Sequence, residues 1–214
     1  MAEVQAHGNT FEDIIIRKLT GKSKKEYDAL KGKGGYTSAM DLVEGLIVNR
    51  DYSIKTAKSN KVDCGDILRR MSEKEYIMIV GQWRQDGDTK VIHTVYCFNV
   101  KSKDYKKLWG KMTKKSVKEF DKYVKSIPHG KEGRDSTKEE RTARKDKISC
   151  KDALMVIHPK VDSKNQRRGQ CSFKIDEMIA SGVEYMKKDM NIRIKSSART
   201  FNVASEKKIL STKE

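Results

Sequence analysis

Residues 76–100, YIMIVGQWRQDGDTKVIHTVYCFNV, carry the clearest strand pattern in the chain. Residues 76–83 and 89–100 are rich in β-branched and aromatic side chains, which favour extended backbone. Between them, residues 85–88 read Gln-Asp-Gly-Asp and supply the Asp-Gly chemistry of a tight turn. The stretch therefore predicts an antiparallel β-hairpin.

The segments before this hairpin predict elements of both kinds. Residues 11–19 have the charge distribution of a short helix, acidic at its start and basic at its end. Residues 21–35 are rich in Lys and Gly and predict a helix fragment followed by a flexible loop. Residues 37–49 fit neither period cleanly, so helix and strand remain alternatives there. Residues 52–56 predict a strand and 65–71 a helix, which together indicate an α/β or α+β core.

The charge of the chain is strongly basic. Its 214 residues include 47 Lys and Arg but 30 Asp and Glu, which gives a formal net charge of +17. Such an excess repels itself in a compact state unless an anion is near, and it is typical of proteins that bind phosphate backbones. Composition therefore favours nucleic-acid binding over a surface that is charged only for solubility.

The segment from 101 to 150 concentrates this charge, with 17 basic and 8 acidic residues. Its larger side chains recur at helical spacing, which predicts an amphipathic helix whose aromatic residues lie in the core rather than stack on bases. Residues 129–147 predict an exposed or mobile loop, one that could order on DNA. The lysines left for phosphate contacts are Lys106, Lys107, Lys111, Lys114 and Lys115.

The last third predicts two strands, at 153–158 and 170–175, followed by a helix at 176–186 and a basic, weakly structured tail from 195. Residues 164–170 connect the two strands and are either a solvated turn or a base-reading loop. Amide and guanidinium groups suit bidentate contacts with base edges. The candidate base-reading residues are Asn165, Gln166, Arg167 and Arg168.

Cysteine spacing and hydropathy limit the other classes of protein to which the chain could belong. Cys64, Cys97, Cys150 and Cys171 have no C-x-x-C spacing and no nearby His, which disfavours structural zinc and predicts reduced thiols in a cytoplasmic protein. No segment is apolar for long enough to cross a bilayer, and no signal-peptide pattern is present at the N-terminus. We therefore expect no membrane partner.

One group of residues could carry chemistry. Phosphodiester hydrolysis needs a divalent ion held by carboxylates, an activated water and a cation for the developing charge. Asp41 precedes the predicted strand 52–56, in which Ser53 and Lys55 point to one face. Asp63 and Asp66 follow closely enough to turn back towards that face. Individually these residues have plainer readings, since Asp41 suits a turn, Lys55 a solvated strand edge and Asp63 a helix cap.

The order of these residues resembles the PD-(D/E)XK nuclease superfamily, of which type II restriction endonucleases are small, basic members. The resemblance spans residues 10–100: a helix with an early Glu12, then Met40-Asp41, then a strand with Lys55, then a helix and further strands. It implies a restriction-endonuclease-like core with a central mixed sheet flanked by helices. By this resemblance Asp41 is the first metal-binding aspartate, Lys55 the catalytic lysine, and Glu12 a glutamate that supports the metal.

Two positions depart from the family pattern. Met40 stands where the pattern has Pro, and Ser53 stands where it has the second acid. Some restriction enzymes with this fold take that carboxylate from a neighbouring helix, so Asp63 or Asp66 is expected to replace it here. Glu44 and Asp51 are weaker alternatives.

The sequence thus predicts a nuclease-like core at 1–100 that carries a basic recognition elaboration at 101–214. The expected activity is that of a Mg²⁺-dependent endonuclease of a restriction system, a hydrolase that cleaves double-stranded DNA as a homodimer. In this prediction Asp41, Asp63, Asp66 and Glu12 are the metal-binding candidates, and Asp41, Ser53 and Lys55 are the catalytic positions. Two rivals remain: a DNA- or RNA-binding module without catalysis, and an RNA-associated structural protein that uses only the basic segment.

Overall fold

The computed structural model describes residues 3–31, 40–71, 74–162 and 166–195, and the chain divides into two units. Unit 1 comprises 1–60, 75–100 and 184–214, and unit 2 comprises 61–74 and 101–183. The chain crosses between the units four times, and the predicted boundary at residue 100 coincides with one of these crossings.

Eight helices and seven strands are formed within the described ranges. The helices are α1 (Glu3–Thr20), α2 (Lys24–Leu30), α3 (Ile67–Arg70), α4 (Tyr105–Trp109), α5 (Lys114–Ser126), α6 (Gly130–Ser136), α7 (Lys138–Ile148) and α8 (Ile175–Ala180). The strands are β1 (Tyr52–Ala57), β2 (Lys61–Asp66), β3 (Tyr76–Asp86), β4 (Thr89–Val100), β5 (Val156–Val161), β6 (Arg167–Lys174) and β7 (Glu184–Lys195).

Unit 1 contains a mixed four-stranded sheet of order β1-β3-β4-β7, accompanied by α1 and α2. β1 and β3 are parallel, whereas β3–β4 and β4–β7 are antiparallel. The predicted hairpin is confirmed, because Asp86 pairs with Thr89 across a turn in which Gly87 adopts a φ of +58°. The predicted mixed α/β architecture is therefore correct.

Helix α1 packs on this sheet through apolar residues that recur at helical spacing. Phe11, Ile15 and Ile16 are buried against strand residues that include Ile54 and Ile79. Gly81 on β3 makes the close approach possible, because a Cβ at this position would lie 2.7 Å from Phe11 Cζ. The absence of a side chain at residue 81 thus sets where α1 lies on the sheet.

Unit 2 contains an antiparallel three-stranded sheet of order β2-β6-β5, against which α5 packs. Val117, Phe120 and Val124 form the buried face of α5. Asp121, also buried, accepts a hydrogen bond of 2.7 Å from the Gly169 backbone N–H on β6. The prediction that the apolar and aromatic residues of this segment are core is confirmed for Phe120, although α4 and α5 are separate helices.

The prediction of a loop at 129–147 is wrong. Helices α6 and α7 occupy this segment. On α7, Arg144 pairs with Glu140 one turn earlier at 2.8 Å. Arg141 is buried and donates to the carbonyl oxygens of Arg134 and Thr137. The alternating charges that predict a solvated loop therefore lie on helices, where Glu140 and Arg144 form a pair at i and i+4.

The bounds of several elements also differ from the prediction: α1 begins at Glu3 rather than at 11, and β5 and β6 begin at Val156 and Arg167 rather than at 153 and 170. The helix expected at 176–186 ends with α8 at Ala180, because Gly182 adopts a left-handed φ of +74° and the chain continues into β7. The helix expected at 65–71 is reduced to α3, preceded by the unpredicted strand β2. Its cap is Asp66 rather than Asp63, and the basic tail beyond residue 195 lies outside the described residues. None of the described helices is long and apolar enough to cross a membrane.

Candidate active site

Asp41 is held beside β1 by backbone pairing. Its N–H donates to the Tyr52 carbonyl at 2.8 Å, and Leu42 and Tyr52 form an antiparallel bridge. The Asp41 carboxylate then reaches along β1, where Oδ2 accepts the Ile54 N–H at 2.6 Å. The segment that had competing helix and strand interpretations therefore forms an extra pairing at the start of β1.

Lys55 meets this carboxylate from the strand itself. Its Nζ lies 3.1 Å from Asp41 Oδ2 and 2.7 Å from the Ile54 carbonyl oxygen, and its side chain is 17% exposed. Two acceptors and the packing around the aliphatic stem fix the ammonium group. Asp41 and Lys55, the metal-binding and catalytic residues that the resemblance implies, are therefore in direct contact although they are fourteen positions apart.

Glu12 brings a second carboxylate to the same place from α1. Burial raises the pKa of Glu12, and the nearby charge of Asp41 raises it further, although Lys24 and Lys55 act in the opposite direction. The charges of Asp41 and Lys55 thus act on the Glu12 carboxylate. Glu12, Asp41 and Lys55 therefore form one cluster, which we call the acid–lysine cluster.

Lys24, at the start of α2, also belongs to this region. Its Nζ bonds Glu12 Oε1 and lies 3.5 Å from Asp28 Oδ2. The sequence interpretation of the Lys- and Gly-rich segment did not single out this lysine. A signal was present, because Ser23 and Glu26 form a capping box that fixes the beginning of α2 directly before Lys24.

The other predicted acids belong to other elements of the fold. Asp63 and Asp66 belong to β2 in unit 2, where Asp66 accepts the Arg69 N–H at 3.2 Å as the cap of α3. Ser53 is fully buried in β1 and supplies no carboxylate. Asp51, a weaker alternative, accepts the Glu44 N–H at 2.8 Å. Of the other proposed metal-binding acids, Asp41 is the one whose charge raises the pKa of Glu12.

Two carboxylates suffice for one kind of metal site. Mg²⁺ in phosphate chemistry is commonly held by one or two carboxylates, with water and substrate phosphate completing its shell. No group of three Asp, Glu, His or Cys side chains suited to a metal occurs in the part of the chain that the structure describes. The oxygen donors of Glu12 and Asp41 therefore fit a Mg²⁺ ion shared with a phosphate rather than a cage formed by protein alone.

The predicted phosphate-binding lysines lie in unit 2. Lys106, Lys111, Lys114 and Lys115 are exposed, and Lys107 is 3.1 Å from Asp104. Lys114 and Lys115 occupy the first turn of α5, where the positive end of a helix disfavours a cation. Cations kept at an unfavourable position are consistent with contact to an anion.

A cavity of about 630 Å³ adjoins this end of α5. It is lined by Lys111, Lys147 and Lys151, with the hydroxyl groups of Thr113 and Ser116. None of these three lysines has an ion-pair partner among the residues that the structure describes. Arg144, Glu119 and Asp152 also line the cavity, so its lining carries a net basic excess, which suits an anion such as phosphate.

The four predicted base-reading residues differ in their burial and in their hydrogen bonds. Asn165 lies outside the described residues, and Gln166 and Arg168 are half-buried and bonded to each other at 3.2 Å. Arg167 is buried, and its guanidinium donates four hydrogen bonds to the carbonyl oxygens of Ile127, Pro128, Asp162 and Gln166. Arg167 is therefore a structural residue that joins the loop to the end of α5.

We expect Arg167→Ala to lower the free energy of unfolding by about 2–3 kcal/mol, because buried carbonyl oxygens lose their donor. Urea denaturation of the full chain measures this change. Arg168→Ala is the matched control, since it removes the same charge from a half-buried neighbour and should change stability much less. Equal stability of the two variants would contradict the structural role of Arg167.

Comparisons of the chain with protein-family models, with curated proteins and with solved structures gave no significant match. The interpretation of the site therefore rests on its own residues and geometry.

Proposed function

We propose that this chain is a Mg²⁺-dependent endodeoxyribonuclease with a restriction-endonuclease-like fold that cleaves double-stranded DNA. The observation that carries the proposal is the acid–lysine cluster, in which Asp41 contacts Lys55 at 3.1 Å and the charge of Asp41 acts on Glu12. The parallel pairing of β1 with β3, beside α1, supports the same interpretation.

Each residue of the cluster has a role in this proposal. Glu12 and Asp41 hold the divalent ion, which supplies Lewis-acid activation of water and of the phosphate. Lys55 orients the water or stabilises the charge that develops on the phosphorane. The Ile54 N–H keeps the Asp41 carboxylate in place, and burial limits competing water.

Unit 2 supplies DNA affinity in this proposal. Its exposed lysines and the cavity beside α5 bind backbone phosphates, and Gln166 and Arg168 remain the candidates for base contacts. A two-fold symmetric duplex site favours a homodimer, because the protein symmetry then matches that of the target. Light scattering of the protein with and without a duplex measures the predicted dimer.

Incubation of the purified protein with unmethylated plasmid DNA, in Mg²⁺ and in EDTA, tests the proposal. Discrete fragments formed only with Mg²⁺ are the expected result and would establish sequence-specific cleavage. A smear formed only with Mg²⁺, and absent with the Asp41→Asn protein, would indicate a nuclease without sequence specificity. Intact DNA in both conditions would contradict the proposal.

A non-catalytic nucleic-acid-binding module is the second candidate. It is favoured by Ser53, which is buried and neutral at the position of the second acid in the family pattern. This candidate predicts a gel shift that weakens steeply with salt, no metal-dependent product, and no effect of substitutions at Asp41 or Lys55. A parallel gel shift with DNA and RNA of equal length identifies the preferred nucleic acid.

A further inference from the structure

Lys24 lies among three carboxylates. Its Nζ bonds Glu12, lies 3.5 Å from Asp28 Oδ2, and is close enough to Asp41 for that charge to act on it. Burial lowers the pKa of Lys24, but the bond to Glu12 and the charges of Glu12, Asp28 and Asp41 raise it above its usual value. A charged ammonium group is thus bonded to Glu12, one of the two proposed metal ligands.

The backbone of Lys24 is anchored to α1, and its side chain, although bonded to Glu12, is partly exposed. Its N–H donates to Asp13 Oδ1 on α1 at 2.6 Å, which attaches the beginning of α2 to α1. The side chain is 27% exposed and has four rotatable carbon–carbon bonds, so it can turn to solvent without moving α2. The side chain of Lys55 is less exposed, at 17%, and its ammonium group contacts Asp41 Oδ2 and the Ile54 carbonyl oxygen.

We propose that Lys24 is a built-in counter-cation that neutralises Glu12 and Asp41 in the absence of metal and leaves them when a divalent ion binds. The inference rests on the proposed metal-dependent function and adds a residue to it. An ammonium group and a divalent ion repel each other at the short distances within one site. Metal binding must therefore break the contact between Lys24 and Glu12, which lowers the apparent affinity for metal.

The inference predicts opposite effects of one substitution on two properties. Lys24→Met keeps the aliphatic stem and removes the charge, so the two carboxylates lose a counter-cation. We expect a lower melting temperature in EDTA and an affinity for Mn²⁺ about tenfold higher than that of the wild type. Substitution of a residue with a merely structural role would not tighten metal binding, because damage to the site weakens the binding of metal.

Isothermal titration of the full chain with Mn²⁺ in the absence of DNA measures the affinity, and thermal unfolding in EDTA measures the stability. Lys25→Met is the matched control, because Lys25 is exposed in the same turn of α2 and the net charge changes equally. Lys25→Met should resemble the wild type in Mn²⁺ affinity and in melting temperature. Lys24→Arg should remain close to the wild type in Mn²⁺ affinity and in melting temperature. Asp41→Asn should abolish Mn²⁺ binding both in the wild type and in the Lys24→Met protein.

Unchanged or weaker Mn²⁺ binding by Lys24→Met would overturn the inference. If the wild type still cleaved plasmid DNA with Mg²⁺ in that case, only the role of Lys24 would be lost and the proposed function would stand. Absence of both Mn²⁺ binding and cleavage in every variant would reject the proposed function together with the inference.

Discussion

Lys55→Ala is expected to lower the rate of DNA cleavage at least about a hundredfold, the usual effect of removing one group that stabilises transition-state charge. Its ammonium group lies 3.1 Å from Asp41 Oδ2, so it is positioned next to one of the two acids proposed to hold the metal. Affinity for DNA should change little, because Lys55 is 17% exposed and offers little surface to the phosphate backbone.

Plasmid cleavage and a gel shift at matched salt measure the two properties separately. Lys58→Ala is the matched control, since it removes an exposed lysine just beyond β1 and should retain cleavage. A Lys55→Ala protein that cleaves at the wild-type rate would refute the catalytic assignment. Loss of both cleavage and binding, with normal stability, would instead assign Lys55 to DNA affinity.

The second large effect is expected at Gly81, where the fold leaves no space for a side chain. A Cβ there would lie 2.7 Å from Cζ of the buried Phe11 ring. Gly81→Val should therefore lower the free energy of unfolding by about 3 kcal/mol, at the upper end of the usual cost of overpacking. Because Phe11 precedes Glu12 on α1, displacement of this ring should also impair metal binding and cleavage.

Urea denaturation and plasmid cleavage with the full chain test this prediction. Gly8→Ala on α1, the helix that carries Phe11, is the matched control, because among the described residues its Cβ would meet only Thr56 Oγ1, at 3.6 Å. Replacing Gly by Ala in a helix is expected to stabilise by up to about 1 kcal/mol. Phe11→Leu in the Gly81→Val protein should recover part of the stability. Wild-type stability of Gly81→Val would contradict the described packing of α1.

Local patterns predicted the parts of the fold whose partners are near in sequence. The β3–β4 hairpin is encoded by strand-forming residues on either side of an Asp-Gly turn, and the structure confirms it. The buried face of α5 likewise follows from helical spacing. In both elements, residues that are close in sequence determine the secondary structure. Periodicity and turn chemistry therefore suffice to predict them.

Other elements depend on partners that are distant in sequence. β7 was interpreted partly as helix, yet it pairs with β4 across about ninety residues. β2 is defined by its pairing with β6, which is similarly remote. Helices α6 and α7 were interpreted as a loop, because dense charge resembles solvated chain until Arg141 is buried. Long-range pairing and burial overrode local composition in these segments.

The acid–lysine cluster likewise depends partly on local sequence and partly on tertiary contacts. The resemblance selected Glu12, Asp41 and Lys55 as candidates, but spacing alone left several acids open as the second metal ligand. The placement of α1 on the sheet, which Gly81 permits, puts Glu12 within the electrostatic influence of Asp41. The division into units assigns Asp63 and Asp66 to unit 2 instead.

The sequence by itself determined the basic character of the chain, the central hairpin and the residue types that suit metal-assisted phosphate chemistry. These properties depend on composition and on neighbours along the chain. Only the tertiary structure decided which acid accompanies Asp41, that Lys24 bonds Glu12, and that Arg167 supports the fold. Each of these depends on contacts between segments 10 to 40 residues apart, whose geometry is set by packing in the core rather than by local pattern.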